Sequence, residues 1–547
     1  MQMEPRLKYS SFLLGITATL WQIILFRESM TVFYGNELII GLLLCGWLLF
    51  FALGCKSGEL WKRSTNTERL ALLFLLHSLL SFLAIKYARI LLQVPVGEFI
   101  PLSQLLLLAL PILGVPCFIL GLWFERLAHA LSDLGSDNPT AVVYTFESFG
   151  AVIASLLFTL VLTRLHSNLY TLVVLWLIVL AAYSMMYKRR RYLFYAVACL
   201  ILILVAGSRL ETGLNAKYWQ SLSPGLRFLE GRTTRYGELA VLDSGGDKLL
   251  YCNGIRQTLL PDPLTTQTLS ALILTQHPGP RRILLIGGGL GGLALQLARH
   301  PDSQVLYLEQ DGDAFALAAR YGRWQTQQRC RTLFSDGRRY LLQSPPPFDL
   351  IVVNVGRPTT ALVNRYYTGE FFALAKQHLN PRGVLSICGI PSAENYLGAE
   401  LLQLNASLYH DLCDHFAQVV VLPGDVAHFF AARQMNVLST NADTLNTRYA
   451  GLQSTDHYFH PAQFSTMFAQ ERLASRRREL SSTPPWRNSD FRPINYFIDM
   501  KLWLKQVSGS ATFVHRFPKR TLLWSAVALA GVWLAVFIYR PAQTSLS

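Results

Sequence analysis

Residues 283–313 read ILLIGGGLGGLALQLARHPDSQVLYLEQDGD, and the succession of residue types here decides the fold of the chain's polar half. The apolar run 283–286 predicts a buried strand. Gly287, Gly288, Gly289, Gly291 and Gly292 follow at once, interrupted only by Leu290, and LALQLARH then predicts a helix. Glycine lets the backbone take positive φ and lets a ligand lie against bare amides, while the first turn of a helix offers N–H groups without internal partners. A second apolar run, 305–308, ends in Glu309, twenty residues after Gly289. A carboxylate at that spacing can accept both hydroxyls of a ribose. Nucleoside binding uses both features; a tight structural turn uses only the glycines.

The flanking sequence extends the pattern. CRTLFSDGRRYLL (330–342), FDLIVVNVGRP (348–358), a helix-like YYTGEFFALAKQHL (366–379) and PRGVLSICGI (381–390) alternate strand with helix. That alternation predicts a mostly parallel sheet with helices on both faces. Such a sheet holds its ligand beyond the carboxyl ends of its strands, where the 287–292 loop, Asp336 and Asn354 fall. Upstream, ELAVL, a turn at 243–247 and KLLYC predict a β-hairpin.

The remainder is of another kind. Of 547 residues 51% are hydrophobic, and the mean hydropathy of +0.29 is too high for a wholly soluble protein. Apolar segments lie near 10–26, 38–54, 70–92, 102–123, 141–162, 169–187 and 192–207, and a last one at 522–539, so about seven spans precede the soluble part and one closes the chain. The first lacks a small-x-small cleavage site and runs straight into more spans, so no cleavable signal peptide is expected. The formal charge of +15 sits in clusters that flank apolar segments, not in a basic stripe interleaved with aromatics. A lipid bilayer is therefore the expected partner and nucleic acid is not. Eight scattered cysteines, with no C-x-x-C and no paired histidines, predict neither a disulfide framework nor a metal site.

Sidedness gives two answers. Lys188, Arg189, Arg190 and Arg191, with Lys56, Lys62 and Arg63, place the N-terminus inside, and seven spans would then leave the soluble part outside. His515, Arg516, Lys519 and Arg520 before the last span favour the cytoplasmic face, as does any adenosine-type cosubstrate. The cytoplasmic reading of a multi-pass cell-membrane protein is the one carried forward, with the short 192–207 segment as the place where the count could fail. Within the apolar half, Glu147 lies on a small-residue face with Ser148, Gly150, Ala151, Ala154 and Ser155, and reads either as helix packing or as part of a polar path. Gln22, Arg27 and Glu28 lie near the end of the first span, and His77 reads as a hydrogen-bonded core histidine.

Residues from about 236 to 440 resemble the spermidine synthase (polyamine aminopropyltransferase) family, and the whole chain resembles its bacterial membrane-fused versions, with LWQIILFRESM, YGNELIIGLLLCGW, YTFESFGAVIASLL and DFRPINYF. The resemblance implies a class I methyltransferase-like Rossmann domain behind an N-terminal β-hairpin piece. It also implies a decarboxylated S-adenosylmethionine-type donor, or S-adenosylmethionine itself, as cosubstrate, with no prosthetic group. By resemblance Gly287, Gly289 and Gly291 form the donor loop, Glu309 takes the ribose, and Asp336 and Gly337 meet the adenine. Leu290 replaces the acid that helps hold the donor's amino group.

The acceptor side departs further. A family Leu-Asp-Gly-x-x-Gln stands as Cys252-Asn253-Gly254-Ile255-Arg256-Gln257, Tyr-His-Glu as Thr265-Thr266-Gln267, and Asp-Ser-x-Asp-Pro as Asn354-Val355-Gly356-Arg357-Pro358. Asn354, at the catalytic acid's position, cannot act as a base at neutral pH, and Arg357 would repel a cation. Conversion of putrescine is accordingly expected to be slow or absent. Gln257, Arg357 and Tyr236 are the candidate substrate residues, and Asp262, Glu370 and Tyr236 the candidate replacement bases.

The expected organisation is a helical transmembrane region over 1–207, a hairpin piece over 208–260, a Rossmann domain over 261–480, a linker arm over 481–520 and a final span and tail over 521–547. The expected activity is aminopropyl transfer from a nucleoside donor to an amine. A membrane protein that senses or transports a nucleoside or polyamine without turnover, and a methyltransferase, are the alternatives. Self-association is left open.

Overall fold

The computed structural model describes residues 3–508 apart from 35–36, 61–65, 166, 323, 325–327 and 454–455. The expected last span, 522–539, lies outside the described residues. The chain divides into two compact units, the first built on Met1–Ser244 with Tyr251–Arg256 and the second on Gly245–Leu250 with Gln257–Gln506.

The first unit contains long helices, Met3–Val32, Glu37–Leu60, Thr67–Lys86, Leu102–Ser132, Pro139–Leu160, Asn168–Tyr187 and Arg190–Leu222, and each of the seven expected apolar segments begins inside one of them. Six of the described helices, all of these but Leu102–Ser132, are long and apolar enough to cross a membrane. The segment 192–207 does not end at 207. Residues 208–222, expected to open the hairpin piece, continue the same 33-residue helix. The reason is local: Arg209, Leu210, Glu211, Leu214, Ala216 and Lys217 are good helix formers, and no Ser-Pro-Gly break comes before 223–225.

Two helix pairs meet backbone to backbone through glycine. A Cβ on Gly15 would collide with the Glu147 carbonyl and one on Gly150 with the Phe12 carbonyl; Gly54 and Gly121 stand in the same relation to the carbonyls of Phe118 and Phe51. The small-residue face around Glu147 is thus a packing seam against Met3–Val32. The charges at the far end of that helix are partnered. Arg27 donates to Asn168 at 3.2 Å and to the Thr234 carbonyl, and Asn168 donates to Glu28 at 2.9 Å. His77 Nδ1 lies 2.9 Å from the Leu73 carbonyl of its own helix.

Four strands, β1 (Arg227–Thr233), β2 (Glu238–Ser244), β3 (Asp247–Cys252) and β4 (Ile255–Leu259), form a sheet in sequence order, so the expected hairpin is its central pair. Asn253 and Gly254, with φ of 49° and 74°, make the two-residue turn after β3. Asn-Gly is the pair such a turn demands, because both residues must be left-handed.

The second unit carries a seven-stranded sheet of β5 (Arg282–Ile286), β6 (Gln304–Glu309), β7 (Cys330–Phe334), β8 (Phe348–Val353), β9 (Leu379–Pro391), β10 (Gln418–Leu422) and β11 (Val426–Ala432). The order is β10-β11-β9-β8-β5-β6-β7. Pairing is parallel from β7 through β9 and antiparallel for β11 and β10. This is a methyltransferase-like Rossmann sheet. Its strands read as unbroken apolar runs because both faces are covered. On β5, Leu284 and Ile286 pack with Ile351, Val353, Phe371 and Phe372, while Ile283 and Leu285 pack on the other face with Leu272, Ile273, Leu350 and Val352. Each such side chain, fully buried, contributes about 1.5–3 kcal/mol.

Residues 484–506, within the expected linker arm, pack into this unit. Asn488 donates to the Tyr367 carbonyl at 2.8 Å, Ile498 joins the core of one sheet face, and Asp490 receives Arg338. The stretch looked polar in sequence because its buried polar side chains are spent on hydrogen bonds that reach over a hundred residues back.

Candidate functional site

Strand order reverses at β5, which has β6 on one side and β8 on the other, and the glycine loop leaves from its carboxyl end. That crevice is where an open α/β sheet accommodates a ligand. The glycines serve different needs. Gly287 and Gly288 hold φ of 68° and 65°, and Gly292 holds 108°, all left-handed. Gly289 is instead a matter of space, since a Cβ there would sit 2.5 Å from the Tyr307 ring, and on Gly291 it would collide with Thr258 Oγ1. The helix after the loop spans only Leu293–Leu297, shorter than LALQLARH suggested. His300 precedes a proline, and the chain leaves helical geometry before it. With five residues its dipole is weak, and the loop's own amides remain the principal donors.

Glu309 ends β6 beside this loop. Its Oε1 accepts the Gln310 and Asp311 amides at 2.8 and 3.1 Å, and its Oε2 accepts the Tyr307 hydroxyl. A carboxylate offers about four acceptor positions. One therefore remains, on Oε2, so a ribose finds one position here unless Tyr307 turns away. Burial pushes the Glu309 carboxyl above its ordinary pKa, against the pull of these three donors.

Asp336 is more fully engaged. It caps the helix Gly337–Leu341 by accepting the Arg339 amide at 2.8 Å, and it also receives Gln310 at 2.5 Å, Tyr366 at 2.7 Å and the Arg365 guanidinium. Three of these donors crowd Oδ2 and one reaches Oδ1. Gly337 is small because a Cβ would lie 2.5 Å from Ile286, and its N–H donates to the Tyr366 hydroxyl at 3.1 Å. Burial and the adjacent Asp336 carboxylate both push the Tyr366 phenol up, so it stays a donor to Asp336.

Asn354 follows β8. Its amide N–H donates to the Ile286 carbonyl at 2.9 Å, and its side chain fills the space that a Cβ on Gly288 would need. Arg357 does not present a bare charge. Its Nε and Nη2 donate to Asp499 Oδ1 at 3.0 and 2.8 Å, and Asp499 is buried on the helix Ile494–Ser508. The repulsion of a cation that Arg357 suggested in isolation is offset by this carboxylate.

The remaining candidates separate. Asp262 lies against the glycine loop, its amide donating to the Gly291 carbonyl at 2.9 Å, and it caps the helix Pro263–Thr275 through the Thr265 amide at 3.1 Å. Gln267 is buried and accepts the His457 and Tyr458 amides, a packing role. Glu370 accepts the Asp490 amide. Gln257 is exposed on β4, and Tyr236 is an exposed residue of the first unit. The site residues that sequence reasoning missed are Tyr307, Gln310, Arg365, Tyr366 and Asp499. Tyr307 alone carried a signal, two places before Glu309 on one face of β6. Among the described residues no cluster of His, Cys, Asp or Glu could hold a metal ion.

A cavity of about 400 Å³ opens between the helix Pro263–Thr275 and the β10–β11 turn. Its lining includes no residue of the glycine loop and none of Asp262, Glu309, Asp336 and Asn354.

The spermine/spermidine synthase domain family matches residues 263–416, which take in the loop, Glu309, Asp336 and Asn354. Over those residues the chain is similar to spermine/spermidine synthase domains. The polyamine aminopropyltransferase of Moorella thermoacetica is 30% identical over 163 residues, 28% of this chain and 57% of that protein. Polyamine aminopropyltransferase 2 of Pseudomonas aeruginosa is 28% identical over 174 residues, 29% of this chain and 48% of its own length. The chain thus spans about half the length of the curated relatives it matches. Spermidine synthase from Thermotoga maritima superimposes with a TM-score of 0.39 at 16% identity, covering 47% of this chain and 88% of that one. Human methyltransferase-like protein 13 gives 0.28 at 18% identity, over 41% and 93%. The matched residues are followed on their carboxyl side by others that the family match omits, Asp490 and Asp499 among them.

Proposed function

We propose that this chain is a membrane-bound aminopropyltransferase whose second unit binds a decarboxylated S-adenosylmethionine-type donor and alkylates an amine. The observation that carries the reading is the glycine loop at the sheet's reversal point with Glu309 on the adjacent strand. The nitrogen of a neutral amine attacks the methylene attached to the donor's sulfonium; the C–N bond forms as the C–S bond breaks, and methylthioadenosine leaves as a neutral thioether. Positive charge passes from sulfur to nitrogen, so bond formation itself requires no base. What needs an acceptor is the proton that the amine sheds beforehand. Asn354 cannot take it, and Asp262, packed against the loop, is the carboxylate assigned to that step, with solvent as the sink. Arg357, charge-balanced by Asp499, shapes the loop after β8.

The six apolar helices and their flanking basic clusters support a multi-pass location with the second unit on the cytoplasmic side, where an adenosine-type cosubstrate is available. Transfer of a methyl group from S-adenosylmethionine is the second reading, favoured by Leu290, which leaves the loop without a carboxylate for the donor's amino group.

Titration calorimetry on the detergent-solubilised full chain tests the donor site. Methylthioadenosine binds, and Glu309→Ala weakens it by about 1–3 kcal/mol through loss of a charge-assisted contact. A folded wild-type protein that binds neither methylthioadenosine nor S-adenosylmethionine overturns the proposal. A product heavier by a methyl group selects the second reading.

A further inference from the structure

Asp336 and Gly337, the two residues placed at the base of the donor, are both engaged by one side chain. Tyr366 gives its hydroxyl hydrogen to Asp336 Oδ2 at 2.7 Å, and its hydroxyl oxygen accepts the Gly337 amide at 3.1 Å. A hydroxyl can do both, because it carries one donor hydrogen and two acceptor lone pairs. The edge of adenine has the same polarity: its 6-amino group donates, and N1 beside it accepts. Tyr366 thus makes, from within the fold, the pair of bonds with which a carboxylate and the following amide would read adenine.

The tyrosine is held where it is. Its ring belongs to the buried core with Ile286, Leu308, Leu341 and Phe371, meets Phe371 edge-on at 5.3 Å, and has the Arg365 guanidinium 5.3 Å from its centroid. Withdrawing it would leave the buried Gly337 amide without a partner. What remains for a base is less selective. Gln310 and Arg365 also reach Asp336 Oδ2, so one acceptor position is left on Oδ1, beside the Arg339 amide. Arg365 spends Nε on the Leu362 carbonyl at 3.0 Å and Nη2 on Asp336, and its Nη1 makes no hydrogen bond among the described residues. One acceptor and one guanidinium donor serve either kind of purine: adenine through its 6-amino group and N1, a 6-oxopurine through N1–H and O6. The discriminating group would be the fixed Gly337 N–H, which suits the bare N1 of adenine and opposes the N1–H of a 6-oxopurine.

We infer that Tyr366 determines the specificity of the donor pocket: by withdrawing the Gly337 amide from the base, it lets the pocket take a 6-oxopurine nucleoside as well as an adenine one. This rests on the proposed transferase reading and specifies its donor. Tyr366 acts through Asp336 and Gly337, so it is a positioning residue. The bond made and the bond broken in the transfer lie at the sulfonium, on the other side of the ribose, and a change of base alters binding without altering that step.

The test is titration calorimetry of the full-length protein in detergent with methylthioadenosine and with methylthioinosine, its 6-oxo counterpart. Wild type binds the two with dissociation constants within about threefold of each other. Tyr366→Phe keeps the ring and returns the Gly337 amide and a position on Asp336 to the ligand. Methylthioadenosine then binds about tenfold tighter, the worth of one or two hydrogen bonds, and methylthioinosine does not. The ratio of the two affinities is the readout, because a purely structural role for Tyr366 would weaken both ligands alike, together with the unfolding midpoint. A wild-type preference for methylthioadenosine of about tenfold or more overturns the inference whether or not the variant folds. So does a folded variant that keeps the wild-type ratio. Wild type that binds neither nucleoside removes the transferase reading and this inference with it, whereas adenine-selective binding removes the inference alone.

Discussion

The helix seams of the first unit and the left-handed turns of the loop after β5 spend glycine in opposite ways. In the helical unit Gly15, Gly54, Gly121 and Gly150 lie in ordinary helical backbone, and they are glycine because the carbonyl of another helix occupies the place of a Cβ. In the loop after β5, Gly292 is glycine only because the backbone turns left-handed, with open space around it, while Gly287 and Gly288 turn left-handed and are crowded by residues 354–355 as well. The first use requires a missing atom, the second a missing constraint. A sequence shows the same letter for both, and neighbours decide between them: glycines at helical spacing inside apolar runs join helices, while glycines consecutive after a strand turn the chain over a ligand.

The comparison is broken most severely at the helix seams. Gly121→Val is expected to lower stability by about 3 kcal/mol or more, because the obstructing atoms are backbone and cannot swing aside; a detergent-phase unfolding midpoint equal to wild type would show that the helices do not touch there. Gly288→Ala should be milder, about 1–2 kcal/mol for a residue with a Cβ held at φ of 65°. Its clash is partly with the Asn354 carboxamide, which can rotate, and partly with the Asn354 backbone carbonyl at 2.5 Å, which adds to that strain; both displace a residue of the site, so methylthioadenosine affinity falls further than the unfolding midpoint does. The smallest effect belongs to Gly213, inside Arg190–Leu222 with nothing within 4 Å of a built Cβ. There alanine is expected to stabilise by about 0.5–1 kcal/mol, and a destabilised variant would reveal a neighbour on that face.

What the sequence disclosed follows the range of its interactions. The β5 run, the loop and the twenty-residue step to Glu309 were legible because each is local and carried by residue type. Asp336 was legible as a position and not as a state: its cap is three residues away, but Arg365 and Tyr366 arrive from 29 and 30 residues on, with no pattern announcing them. Arg357 read as a repulsive charge because sequence shows a charge without its partner, and Asp499 stands 142 residues later. The helix Arg190–Leu222 outran its apolar part because hydropathy marks where lipid-compatible residues stop, whereas helix geometry stops only at Ser223-Pro224-Gly225.

The Arg357–Asp499 pair has a consequence for inheritance. One partner lies inside the matched domain and the other beyond its last residue, 416, so the two are separable by any exchange of gene segments that respects the domain's edges. A recombinant that received 263–416 from a relative with aspartate in the place of Arg357 would set that carboxylate against the buried Asp499, and like charges without a cation between them repel strongly away from water. The pair therefore acts as a lock on drift: Asp499 must be lost, or neutralised, before position 357 is free to become acidic.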